Sequence, residues 1–135
     1  MRQDELGKIL IADNDEDVLL TLEQALQDEG YDTAVTVSGD IAFHALSTAA
    51  FDLLVLDDYL SDRDCIQMLT HFQCAGVKPL SVVTYHQLPS RPECEQLRSL
   101  GVSTLVNKRA PLELVRTVNY LLQPMRSRRD KFDIT

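Results

Sequence analysis

The sequence predicts an α/β fold, a five-stranded parallel sheet with helices on both faces, and three observations carry that prediction. Short apolar runs of the kind that form buried strands alternate five times with stretches whose apolar residues recur at helical spacing. Parallel strands need long crossover connections, and this alternation supplies them, with the right-handed crossover as the rule. The 135 residues, 44% hydrophobic and 25% charged, fit one domain of roughly 100 to 150 residues with a tail. Two full domains would not fit.

Each element has a local reason. Lys8-Ile-Leu-Ile-Ala12 is an apolar run that ends abruptly in Asp13-Asn14-Asp15, as a buried strand running into a polar loop does. Val18, Leu22, Ala25 and Leu26 then recur at helical spacing. Asp15, Glu16 and Asp17 stand where a helix N-terminus favours acids, and Gly30 supplies a stop. A weak strand follows at Thr33 to Val37, then a helix from about Gly39 to Thr48 that Ser38 or Asp40 can cap. Phe51 to Leu56 is the strongest strand and ends in Asp57-Asp58; a polar loop, Ser61 to Asp64, leads to a helix with Ile66, Leu69, Phe72 and Ala75 on one face, closed by Gly76. Pro79 to Val83 gives another strand, Pro92 opens a helix to Leu100, and Gly101 ends it. The strand Thr104 to Asn107 and the helix Pro111 to Leu122 complete the alternation.

Charge is uneven. Residues 1–64 hold 16 acids and 3 bases, whereas residues 65–135 hold 5 acids and 10 bases, within a net charge of −8. Such acidity argues against direct nucleic-acid binding by the main body, despite Arg126, Arg128, Arg129 and Lys131 near the end. No apolar stretch reaches the 18 or so residues that cross a bilayer, and MRQDELGK has no apolar signal region, so a cytoplasmic location without membrane contact is expected. Cys65, Cys74 and Cys94 form no CxxC pair, which argues against disulfides and zinc. His44, His71 and His86 have no partner at metal-ligand spacing. Glycines fall only at 7, 30, 39, 76 and 101, so no phosphate-binding glycine loop can be written.

Function in an open parallel sheet is sought beyond the carboxyl ends of the strands. There the sequence places Asp13, Asn14 and Asp15 after the first strand, Asp57 and Asp58 after the third, Thr84 after the fourth and Lys108 after the fifth. Carboxylates from two strands can hold a hard dication, while a hydroxyl and an ammonium receive the oxygens of a phosphoryl group. Asp57 is then the natural nucleophile. Polar residues end most strands, so any one of these alone means little. Four strand ends converging are harder to assign to loop chemistry.

Over residues 6–122 the sequence resembles the receiver domain of two-component response regulators. The strings that carry the resemblance are Ile9-Leu-Ile-Ala-Asp-Asn-Asp15, Phe51-Asp-Leu-Leu-Val-Leu-Asp57, Pro79-Leu-Ser-Val-Val-Thr84 and Gly101-Val-Ser-Thr-Leu-Val-Asn-Lys108. The resemblance implies a flavodoxin-like fold with strand order 2-1-3-4-5. It also implies a phosphoacceptor at Asp57, loaded with magnesium from the phosphohistidine of a sensor histidine kinase or phosphotransfer protein. Asp13, Asn14, Asp57 and the backbone carbonyl of Tyr59 would hold the metal, and Thr84 and Lys108 would bind the phosphoryl oxygens. The output would be a switched surface for a downstream protein or effector domain, in a signalling domain that is not an enzyme. Residues 123–135 would be a basic tail or the start of a linker.

This chain departs from the family pattern at several positions. Asn14 replaces a carboxylate that touches the metal, Tyr85 replaces the small residue after the threonine, and Leu105 and Arg109 replace the aromatic and the proline near the lysine. Ser61 and Cys65 replace a common proline and glycine. Asn14, Tyr85 and Leu105 support the alternative, a pseudo-receiver that binds partners without phosphorylation. An aspartate-dependent phosphatase ranks lower, because its second aspartate would fall at Tyr59.

Overall fold

The computed structural model describes residues 6–60 and 63–123. The main sheet is made of β1 (Lys8–Ala12), β2 (Asp32–Thr36), β3 (Leu53–Asp57), β6 (Ser81–Tyr85) and β7 (Val102–Asn107). They are all parallel, in the order β2-β1-β3-β6-β7, which is 2-1-3-4-5 when these five are counted alone. Helices α1 (Glu16–Asp28), α2 (Gly39–Thr48), α3 (Cys65–Cys74), α4 (Arg91–Ser99) and α5 (Pro111–Leu121) make the crossovers.

Strand alternation sorts the core into two layers. Ile9, Ile11, Leu53, Val55, Val82 and Val106 face α1 and α5, meeting Leu22, Leu26, Leu114 and Val118. Leu10, Ala12, Leu54, Leu56 and Val83 face the other way, onto Ala42, Met68, Leu69, Phe72 and Leu97 of α2, α3 and α4. Successive side chains of a strand point to opposite faces, and a sheet covered on both sides therefore reads as a continuous apolar run.

Several boundaries differ from the sequence expectation. β2 begins and ends one residue earlier than predicted, while β3 and β6 start two residues later, because strand limits follow pairing with neighbours: Asp57 pairs with Thr84, and Tyr85 with Asn107. Asp52 instead accepts the Lys8 backbone N–H at 2.8 Å. The expected polar loop after β3 includes a small antiparallel pair, β4 (Tyr59–Leu60) with β5 (Arg63–Asp64). Residues Ser61 and Asp62 lie outside the described residues, as do Arg126, Arg128, Arg129 and Lys131. Leu60 is buried in the α2–α4 layer, and the Arg63 guanidinium reaches Asp40 at 2.8 Å, so this pair is fastened to the start of α2. On α3 the buried face is Cys65, Met68, Leu69 and Phe72; Ala75 is exposed, since it is the residue at which the helix ends.

The caps follow local chemistry. Ser38, not Asp40, caps α2, accepting the Ile41 N–H. Asp64 with Gln67 and Ser90 with Glu93 form capping boxes on α3 and α4. Gly101 takes φ of +97° between α4 and β7, where a Cβ would also stand 3.4 Å from the Pro79 carbonyl oxygen.

Candidate functional site

Parallel strands deliver their carboxyl ends to one edge of the sheet, and a cavity of about 620 Å3 opens there. Asn14, Asp15, Glu16, Asp17, Asp57, Asp58, Tyr59, His86 and Lys108 line it. Asp13 and Thr84, also expected at this edge, are fully buried and do not line it.

At the centre is a buried ion-pair cluster. The Lys108 ammonium donates to Oδ1 of Asp57 at 2.8 Å and lies 3.3 Å from Oδ2 of Asp13. These side chains come from three strand ends, and burial gives their charges a lower local dielectric than a surface pair has. Burial pushes the Asp13 carboxyl above its ordinary value, with the Asp57 charge adding to that and the Asp15 N–H bond and Lys108 opposing it. Burial also works against the Lys108 ammonium, but its hydrogen bond and charge contact with Asp57, and the charge of Asp13, outweigh burial and raise its pKa.

The remaining groups divide by what already holds them. Asp15 is committed as the α1 cap, its Oδ1 accepting the Asp17 and Val18 N–H groups. Asp13 Oδ1 accepts the Asp15 N–H at 2.9 Å, whereas its buried Oδ2 accepts no hydrogen bond. Asp57 Oδ2 has one long contact, from the Asn14 N–H at 3.5 Å. The buried Thr84 hydroxyl, on the strand beside Asp57, has no hydrogen-bond partner among the described residues. Unmet polar atoms of this kind are costly in a protein interior and call for an explanation.

These atoms suit a hard dication in donor type. Asp13 and Asp57 offer underused carboxylate oxygens and Asn14 an amide oxygen at the cavity wall; hard cations take oxygen ligands. Among the described residues, no three of His, Cys, Asp and Glu converge as a metal cluster.

Two residues matter more here than their sequence positions suggested. Asp58 turns its carboxylate toward Asp57 and accepts the His86 N–H at 3.3 Å. His86 lines the cavity, whereas Tyr85, the neighbour of Thr84, does not. No sequence signal distinguishes them, because residue order gives no side-chain direction beyond a strand end. Cys65 is the opposite case: buried at the start of α3, its thiol is pushed up to about 12, chiefly by burial, and is inert at neutral pH.

The metal-free site stores repulsion, which gives a testable result. Asp13→Asn should raise the melting temperature at pH 7. A carboxyl whose folded pKa is raised costs stability above that pKa and stops doing so as the pH falls through it toward 3.8. The gain over the parent protein should therefore shrink on acidification, and magnesium should raise the parent's melting temperature more than the variant's. Calorimetry with and without magnesium checks both; a variant less stable at pH 7 would mean that Lys108 outweighs burial at Asp13.

A sequence-family comparison decides what this site belongs to: the model for the response regulator receiver domain matches residues 9–119. The chain belongs to that family. Receiver domains are signalling domains of two-component systems, and the flavodoxin-like sheet order agrees with that membership. The alginate biosynthesis transcriptional regulatory protein AlgB of Pseudomonas putida is 34% identical over 85 residues, which are 62% of this chain and 19% of that protein. The chain thus spans about a fifth of that relative's length. A Francisella response regulator receiver domain superposes with a TM-score of 0.77 at 23% identity, covering 87% of this chain and 98% of that one. The signal receiver domain of a putative LuxO repressor protein from Vibrio parahaemolyticus gives 0.78 at 17% identity, covering 96% and 98%. At these identities the two structures speak for the receiver fold alone. Among the described residues, no helix is long and apolar enough to cross a membrane.

Proposed function

We propose that this receiver domain is a phosphoacceptor switch. Asp57 takes a phosphoryl group from the phosphohistidine of a sensor histidine kinase or a phosphotransfer protein. The change then passes to a surface that a downstream protein or effector domain reads. The observation that carries this reading is the pairing of a Lys108-bound Asp57 with an unpartnered Thr84 hydroxyl on the adjacent strand. A hydroxyl donor left without an acceptor beside a held carboxylate is what an incoming phosphoryl oxygen would complete.

The chemistry follows from the charges. An Asp57 carboxylate oxygen forms a bond to phosphorus as the bond from phosphorus to the donor nitrogen breaks, and the donor imidazole leaves with the electron pair. Lys108 and Thr84 meet the phosphoryl oxygens, where positive charge and a preplaced donor lower the barrier without reorganisation. Asp13, Asn14, Asp57 and the Tyr59 backbone carbonyl would hold magnesium, which supplies charge neutralisation between two anions. Asn14 brings an oxygen without a charge, so the site depends more heavily on Asp13 and Asp57.

Acetyl phosphate or phosphoramidate with magnesium should add one phosphoryl group to the protein, seen as a single mass increment by intact-mass spectrometry. Asp57→Asn should abolish it. No increment, or one that survives the substitution, would overturn the reading and favour a receiver that binds partners without phosphorylation.

A further inference from the structure

Asp58 is a carboxylate of the cavity wall that the proposed transfer does not use. Its backbone is pinned on both sides: its N–H donates to the Thr84 carbonyl at 2.9 Å and its carbonyl accepts the Cys65 N–H at 2.9 Å. The side chain is half-buried, lines the main cavity, and forms one wall of an adjoining 140 Å3 space with Cys65, Ile66, Pro89 and Leu97. Its Oδ2 accepts the His86 N–H at 3.3 Å, and the side chain lies beside that of Asp57. Among the described residues no Lys or Arg pairs with it, since the Lys108 ammonium goes to Asp57 and Asp13.

We infer that Asp58 is a built-in competitor of the phosphoryl group: its carboxylate, lodged between Asp57 and the His86 N–H, occupies anion-binding space and limits how readily Asp57 takes up and keeps a phosphoryl group. The inference rests on the reading of Asp57 as the acceptor. Two consequences follow from the geometry. A backbone donor of the loop after β6 is taken by an internal anion, and a phosphoryl group with its own negative charge must displace or repel that anion. Like charges a few ångströms apart in a partly buried site interact strongly. A competent arrangement that is only fractionally populated weakens apparent affinity by that fraction. Asp58 thus tunes phosphoryl occupancy at Asp57.

The test uses the full chain with acetyl phosphate at saturating magnesium, following the mass increment over time at a series of donor concentrations. Asp58→Asn keeps the side-chain volume and an acceptor oxygen for the His86 N–H while removing the charge; Asp58→Ser serves if the first does not fold, as judged by circular dichroism. The half-saturating donor concentration should fall roughly tenfold with little change in the maximal rate, and the acyl phosphate should decay several-fold more slowly after donor removal. A packing role alone would leave that split unmoved. Phosphorylation of the variant but not the parent would also support the inference. If the parent is phosphorylated and the variant has the same half-saturation and lifetime, the inference is overturned and Asp57 stands as acceptor. Slower uptake by the variant that is restored only at magnesium well above the level that saturates the parent would overturn it too, making Asp58 a carboxylate that supports the metal. No phosphoryl group on either protein would overturn the acceptor reading and the inference together.

Discussion

Replacing Lys108 with alanine is expected to destabilise the metal-free protein by about 3 kcal/mol at neutral pH, lowering the melting temperature by roughly 10 °C. The Lys108 side chain is only 5% exposed and holds Asp57 at 2.8 Å. Removing it leaves two buried carboxylates facing each other with no cation, and breaking a buried pair from one side costs far more than the pair itself contributes. The pH dependence distinguishes this from a packing defect. In the parent, the raised Lys108 pKa means its contribution is fully present below 10.5 and is lost only as the pH rises through the folded value. In the variant, Asp13 and Asp57 lose their cation, so the deficit should be largest at neutral pH and shrink as the pH falls and the Asp13 carboxyl, already pushed up by burial, takes up a proton. Magnesium should recover part of it by supplying the missing charge. Thermal unfolding across pH 4 to 8 measures this. A melting temperature equal to the parent's at pH 7 would mean that water or bulk cations reach both carboxylates, contrary to their burial.

The second large effect concerns the metal. Asn14→Asp should tighten magnesium binding roughly tenfold, about 1.4 kcal/mol, because a charge placed beside a dication gains more than it loses in hydration when the other ligands are already held. Asn14 is exposed at the cavity wall, and its backbone N–H already contacts Asp57, so the substitution needs no rearrangement. Without metal the same change should lower stability, by adding repulsion to Asp13 and Asp57. Isothermal titration with magnesium and metal-free melting give the two numbers. Equal affinity in the two proteins would show that Asp15 or Asp58 already provides the charge. The cap bonds of Asp15 and the His86 bond of Asp58 argue against either.

The sequence alone determined the layered architecture. Runs such as Lys8–Ala12 and Leu53–Leu56 are apolar at every position after their first residue or throughout and too short for buried helices, as strands of a sheet covered on both faces are, and the helical spacing of Val18, Leu22 and Leu26 supplies the cover. Because parallel strands all point one way, residues that follow them must meet at one edge. For that reason the convergence of Asp13, Asp57, Thr84 and Lys108 was legible before any coordinate, although what each does there is a matter for the experiments above. Tertiary structure decided what periodicity cannot encode. Strand ends moved by one or two residues because neighbours, not local propensity, set where pairing starts and stops. Tyr59–Leu60 and Arg63–Asp64 pair across a stretch that reads as loop, since Leu60 finds a buried place and Arg63 finds Asp40. The direction of the Asp58 carboxylate, and the His86 N–H that meets it, depend on how the loop after β6 folds back over the end of β3. That contact joins residues 28 positions apart, and a separation of that kind leaves no local pattern in the chain.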